Sequence, residues 1–265
     1  MPRASGANRR RRVLVGTLRA LAVERDGAGQ SGAMNQSGPE PAARATPTVD
    51  PVRVRQPAAN SIRAVATPLN LALANALLLL TGGVGVDGWP LRLDRVIYRA
   101  LPAPTGTGLS DVAGDLAQLV STMATPPAAV AFTVAVAAAV SARARTAGAL
   151  RRVVPSVVAV SAAVLLGKAL LHRAGPPGSR PQGDLGYFPS GHTATALVCA
   201  GTLTALLAES HPQWRARLTW ASAGWTALVA ASMVFHRYHW LTDVVSAGLL
   251  GCLILRIDRA VRNGR

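Results

Sequence analysis

The sequence predicts an all-α, polytopic membrane protein of six transmembrane helices, and three observations predict it. Half of the 265 residues are hydrophobic and only 15% are charged. The apolar residues fall in long runs rather than at a period of 2 or 3.6, which points to lipid as the solvent. The basic residues sit in tight clusters between those runs. A formal net charge of +16 would suggest nucleic acid in a soluble chain. Arginines clustered at the ends of apolar runs instead follow the positive-inside rule, and no nucleic-acid partner is expected. Cys199 and Cys252 lie within apolar runs as small hydrophobes, with no disulfide or metal-binding spacing.

Residues 1–62 are rich in Arg, Gly, Pro, Ser and Gln and carry no sustained apolar run, so they read as a disordered basic cytoplasmic tail. The stretch 13–23 is interrupted by Arg19 and lacks a small-residue cleavage pattern, which argues against a signal peptide. Met34 is a second candidate start beside Met1. A membrane domain is expected over 63–265. Its first span is placed at 68–86, where about 19 residues at about 1.5 Å each just cover a hydrocarbon core of about 30 Å. Further spans are expected at 127–142, 153–171, 191–208, 218–235 and 240–255. The stretch 109–123 sets apolar side chains among Asp111, Asp115 and Gln118 and reads as a short amphipathic helix on the outer interface. No internal repeat is evident.

Orientation follows from the arginines of the short connections. Arg143, Arg145, Arg151 and Arg152, then Arg215 and Arg217, then Arg256, Arg259, Arg262 and Arg265 fall on one side together with the tail. Both termini are therefore expected in the cytoplasm, in a multi-pass protein of the plasma membrane. The connections 87–126 and 172–189, of mixed charge, face outward. Nothing in the sequence speaks to oligomeric state.

Three polar elements meet at that outward face. Lys168, the only lysine among 28 basic residues, lies at the end of the third span; its bland reading is a side chain snorkelling to the interface. Pro189-Ser190-Gly191-His192 opens the fourth span, where unpaired backbone N–H groups and the helix dipole favour an anion. Alone, this is equally a serine cap beside an interfacial histidine. His239 and Asp243 are four residues apart at the start of the sixth span. On a helix they share a face, so the carboxylate can orient the imidazole. An intramembrane aspartate is costly and needs such a partner.

In this order and spacing the three elements resemble the signature of the type 2 phosphatidic acid phosphatase (PAP2) superfamily, in its membrane lipid phosphatase branch. That signature is Lys, six residues, Arg-Pro; then Pro-Ser-Gly-His; then Ser-Arg, five residues, His, three residues, Asp. The match covers about 168–243: Lys168, residues 189–192, Ser232, His239 and Asp243 all fit. Two arginines depart from it, since Gly175 and Met233 stand in their places. Arg173, Arg180 and Arg237 are near enough in sequence to replace them.

The resemblance implies a PAP2-like helical bundle and metal-independent hydrolysis of a lipid phosphate or pyrophosphate, such as phosphatidic acid, phosphatidylglycerol phosphate or a polyprenyl mono- or diphosphate. It implies no cofactor, and a lipid phosphate and the bilayer as partners. His239 would be the nucleophile that forms a phosphohistidine, Asp243 its orienting carboxylate, and His192 the acid and then the base. Lys168, Ser190 and Gly191 would bind phosphate oxygens, with Arg173, Arg180 and Arg237 as further candidates. The missing arginines also allow a weak or inactive relative that binds or moves anionic lipids.

Overall fold

The computed structural model of the protein describes residues 65–101, 109–179 and 185–263. The tail expected over 1–62, and Arg180, lie outside the described residues. Among the described residues there are eight α-helices and no strand. These are α1 (Pro68–Gly85), α2 (Trp89–Ala100), α3 (Leu109–Met123), α4 (Pro126–Ala144), α5 (Gly148–Leu171), α6 (Gly191–Ser210), α7 (Arg215–Phe235) and α8 (Leu241–Asn263). A 3₁₀ turn at Pro212–Trp214 leads into α7.

Helices α1, α4, α5 and α6, and the segment Pro212–Phe235 that contains α7, are long and apolar enough to cross a membrane. The sixth expected span, 240–255, is helical as α8 but falls outside this apolar set, so five of the described helices rather than the expected six qualify by length and composition. The reason is charge: Asp243, Arg256 and Asp258 all fall within the first 18 residues of α8. Asp243 is wholly buried in protein rather than facing lipid.

Helix boundaries elsewhere differ where polar residues extend a helix past its apolar run. Thus α5 begins at Gly148, ahead of Arg151 and Arg152, because arginine is a good helix former at a membrane end. The amphipathic α3 has the expected bounds, 109–123. Helix α2 was not anticipated. At 12 residues with three arginines it is too short and too charged to register in hydropathy, and its formation depends on docking against α1 and α8.

Helix α6 is the centre of the bundle and packs on α4, α5, α7 and α8. Its Ala194 and Val198 meet Val160 and Val164 of α5 and Ala247 of α8 in one core cluster, while Cys199 and Leu206 meet Ala137, Val153 and Val157 in another. Outward-facing Leu71, Leu78, Phe132, Leu165, Leu170 and Trp220 are exposed. On a soluble protein such an apolar girdle would be a liability, whereas in hydrocarbon it is the favourable surface. The C-terminal ends of α1, α5 and α7 and the N-terminal ends of α4, α6 and α8 form one end of the bundle, and α2 closes over it.

Candidate active site

The hinge between α7 and α8 sets the first pair. Past Phe235 the chain turns sharply: Arg237 takes φ 58°, and the N–H groups of Tyr238 and His239 both donate to Met233 O, at 2.9 and 3.2 Å. Helix α8 then starts with Asp243 in its first turn, where a carboxylate complements the orphan N–H groups and the positive end of the helix. Asp243 Oδ2 accepts from Trp240 N at 3.1 Å and lies 3.3 Å from His239 Nδ1. Both side chains are buried. Ser232, the other third-motif match, donates its hydroxyl to Val229 O at 2.8 Å and is buried inside α7.

The second element joins the first through the backbone. Ser190 caps α6, its Oγ accepting from Thr193 N at 3.5 Å, and Ser190 N donates to Asp243 O at 3.1 Å. The start of α6 is thereby tied to the carboxylate-bearing turn of α8. Gly191 is buried where a side chain would reach Val164 and Pro126. His192, half-buried, lies within electrostatic reach of His239 and Lys168. Lys168 Nζ donates to Gly186 O at 2.8 Å and stands 6.0 Å from the centroid of the Tyr187 ring. That ring meets His239 edge-on at 5.7 Å. Lys168, Ser190, His192, His239 and Asp243 thus gather at one end of the bundle.

The arginines are arranged differently. Arg173 is buried and makes ion pairs with Asp243 and, at 2.5 Å, with Asp94 of α2. Its Nη1 also donates to Thr242 Oγ1 at 2.8 Å, and its guanidinium lies 5.7 Å from the Trp240 ring centroid. Arg237 stacks 4.2 Å over Tyr98 and donates to Tyr98 OH at 3.0 Å and Leu101 O at 3.2 Å. Both are engaged with protein groups. The two family positions are closed: a side chain at Gly175 would run into the Ser179 hydroxyl and, at 2.5–2.6 Å, into the Tyr187 ring, and Met233 is fully buried.

Asp94, Thr242 and Tyr187 enter the site without having been singled out. In the sequence Asp94 is one of several carboxylates in the connection 87–126, and no spacing relates it to α8. Thr242 and Tyr187 adjoin motif residues, which was the only signal available. Trp240 donates its indole N–H to Ala174 O at 2.9 Å and so braces the turn after α5.

Two cavities border the cluster. One, of about 430 Å³, is a largely apolar groove between α4, α5 and α6, lined by Pro127, Val130, Val164 and Leu165 and reaching Lys168 and Gly191. The other, of about 390 Å³, lies on the far side of Arg173 and is lined by Asp87, Asp94, Arg95, His172 and Trp240 among others. Among the described residues no group of three or more His, Cys, Asp or Glu side chains is arranged to hold a metal ion.

The PAP2 superfamily model matches residues 169–263. The fold is similar to the crystal structure of a transmembrane PAP2 type phosphatidylglycerolphosphate phosphatase from Bacillus subtilis, with a TM-score of 0.63 and 17% identity, covering 73% of this chain and 96% of that one. No curated protein matches the chain. Residues 169–263 are therefore similar to the PAP2 superfamily, in a helical bundle whose fold is similar to that of a membrane PAP2 phosphatase.

Proposed function

We propose that the protein hydrolyses a lipid phosphate or pyrophosphate without a metal, through a phosphohistidine at a site facing the outside of the plasma membrane. The observation that carries this reading is the buried His239–Asp243 pair, at 3.3 Å, beside His192, Lys168 and the capped start of α6. With Nδ1 directed at Asp243, Nε2 of His239 is the nucleophile. It attacks phosphorus as the bond to the leaving oxygen breaks, and His192 gives that oxygen its proton. In the second step His192 takes a proton from water, the water oxygen bonds to phosphorus, and the P–N bond breaks to release phosphate and His239.

Lys168 and the N–H groups at the start of α6 are disposed to stabilise charge on the equatorial oxygens, the largest contribution in phosphoryl transfer. The apolar groove ending at Lys168 and Gly191 favours a substrate with a hydrocarbon tail beside its phosphate. Phosphatidic acid, phosphatidylglycerol phosphate and polyprenyl phosphates or diphosphates all have that form.

The test is phosphate release by the detergent-purified protein from a panel of these lipids with EDTA present. Wild type is expected to release phosphate, and His239→Ala and His192→Ala each to lose at least about 100-fold. A phosphorylated His239 should be trapped in wild type. A second reading, binding or moving anionic lipids without hydrolysis, is favoured by Gly175 and Met233 in place of cationic residues. Lipid binding by folded wild type with no release, unchanged in His239→Ala, would establish it instead.

A further inference from the structure

Asp94 belongs to none of the three motifs, yet it is 2% exposed and joined to two of them. Its Oδ1 accepts from Thr242 N, at 2.9 Å, satisfying an orphan donor in the first turn of α8. Its Oδ2 accepts from Thr242 Oγ1 and from Arg173 Nη2, both at 2.5 Å. The Thr242 hydroxyl in turn accepts from Arg173 Nη1, which also reaches Asp243 Oδ1. A closed ring of Asp94, Arg173 and Thr242 thus grips the Oδ1 edge of Asp243. The Oδ2 edge is left for Trp240 N and His239 Nδ1.

We infer that Asp94 is a positioning residue for His239, acting through Arg173 and Asp243. The inference rests on the hydrolytic reading above for its kinetic consequence, not for its geometry. Two carboxylates share one guanidinium, and each holds the other's share in place. Without the Asp94 charge, Arg173 Nη2 has no anion but Asp243, and the fork is drawn across both oxygens of that carboxylate, including the one that serves His239. Helix α2 is then a working part of the site: it delivers a carboxylate to the start of α8 and holds Arg173 away from the phosphate.

Asp94→Asn keeps the size and the acceptor for Thr242 N and removes the charge. It is expected to lower kcat about 100-fold with KM changed less than about threefold, since Asp94 touches no substrate atom. The decisive measurement is a double-mutant cycle with Asp243→Asn. Residues acting in series are non-additive, so Asp94→Asn should cost little more in the Asp243→Asn background. Multiplying effects would overturn the inference.

A parallel readout does not need turnover: the rate at which diethyl pyrocarbonate carbethoxylates His239, followed by mass spectrometry of the intact protein's peptides. Asp94→Asn should shift that rate as Asp243→Asn does; a wild-type rate in Asp94→Asn beside an altered one in Asp243→Asn overturns the inference. Should wild type hydrolyse nothing, the proposed function fails while the labelling still decides this point. Where Asp94→Asn does not fold, Arg173→Lys, which keeps the charge and loses the fork, replaces it in both experiments. Failure of both variants to fold would make the ring structural and overturn the positioning role.

Discussion

On the proposed reading, Lys168 would carry an unusual share of the electrostatic work in this site. An ammonium has three donors; one is directed at Gly186 O, which aims the group at the space between Tyr187 and the start of α6. With Arg173 tied to Asp94 and Asp243, removal of the Lys168 charge should be felt strongly. Lys168→Met is expected to reduce kcat/KM by about 10- to 100-fold, the equivalent of one charge-assisted hydrogen bond of about 1.5–3 kcal/mol; steady-state kinetics on the best lipid substrate checks this. Restoring the family arginine at position 175 should not help. The Ser179 hydroxyl and Tyr187 ring occupy the room its Cβ would need, so Gly175→Arg is expected to lower the thermal midpoint in detergent with no gain in phosphate release.

At the scale of helices, close packing of α6 against α8 determines whether the two motif-bearing ends stay in register. Lipid supplies no hydrophobic drive between helices, so small residues that allow near contact take over. Gly251 is such a residue: a Cβ there would come within 2.7 Å of Leu197 Cδ2 and 3.3 Å of Leu197 Cβ. Gly251→Val should cost about 1–3 kcal/mol by overpacking, read as a lower midpoint for thermal unfolding in detergent.

Helix α2 shows the reverse case, an element whose sequence is unpersuasive but whose docking is specific. Tyr98 donates to Pro177 O at 3.2 Å and receives Arg237, so α2 is stitched both to the turn after α5 and to the hinge before α8. Its two arginine-bearing neighbours in space come from segments far apart in the chain, which is why the candidate replacements for the missing arginines could be named from the sequence but not given their partners.

For the whole molecule, charge is distributed by end. Arg143, Arg145, Arg151, Arg152, Arg215, Arg217, Arg259 and Arg262 all lie at the end opposite the site, and the positive-inside rule predicts that this end faces the cytoplasm. Single cysteines introduced in a Cys252→Ala background should report it. Ser179→Cys is expected to react with a membrane-impermeant maleimide added to intact cells, and Glu209→Cys only after lysis. The opposite pattern would reverse the orientation.

The sequence by itself determined the helical membrane architecture, the positions of most helices, and the gathering of Lys168, Ser190, His192, His239 and Asp243 at one end. These depend on local quantities: the length of an apolar run, proline and glycine at helix starts, and a four-residue spacing on one helix face. Only the tertiary structure decided that Asp243 is buried in protein, that Gly175 and Met233 are closed to arginine, and that Arg173 is held between Asp94 and Asp243. Asp94 and Arg173 are 79 residues apart. An ion pair across that separation leaves no period or spacing to read, because it exists only once packing has brought α2 over the start of α8.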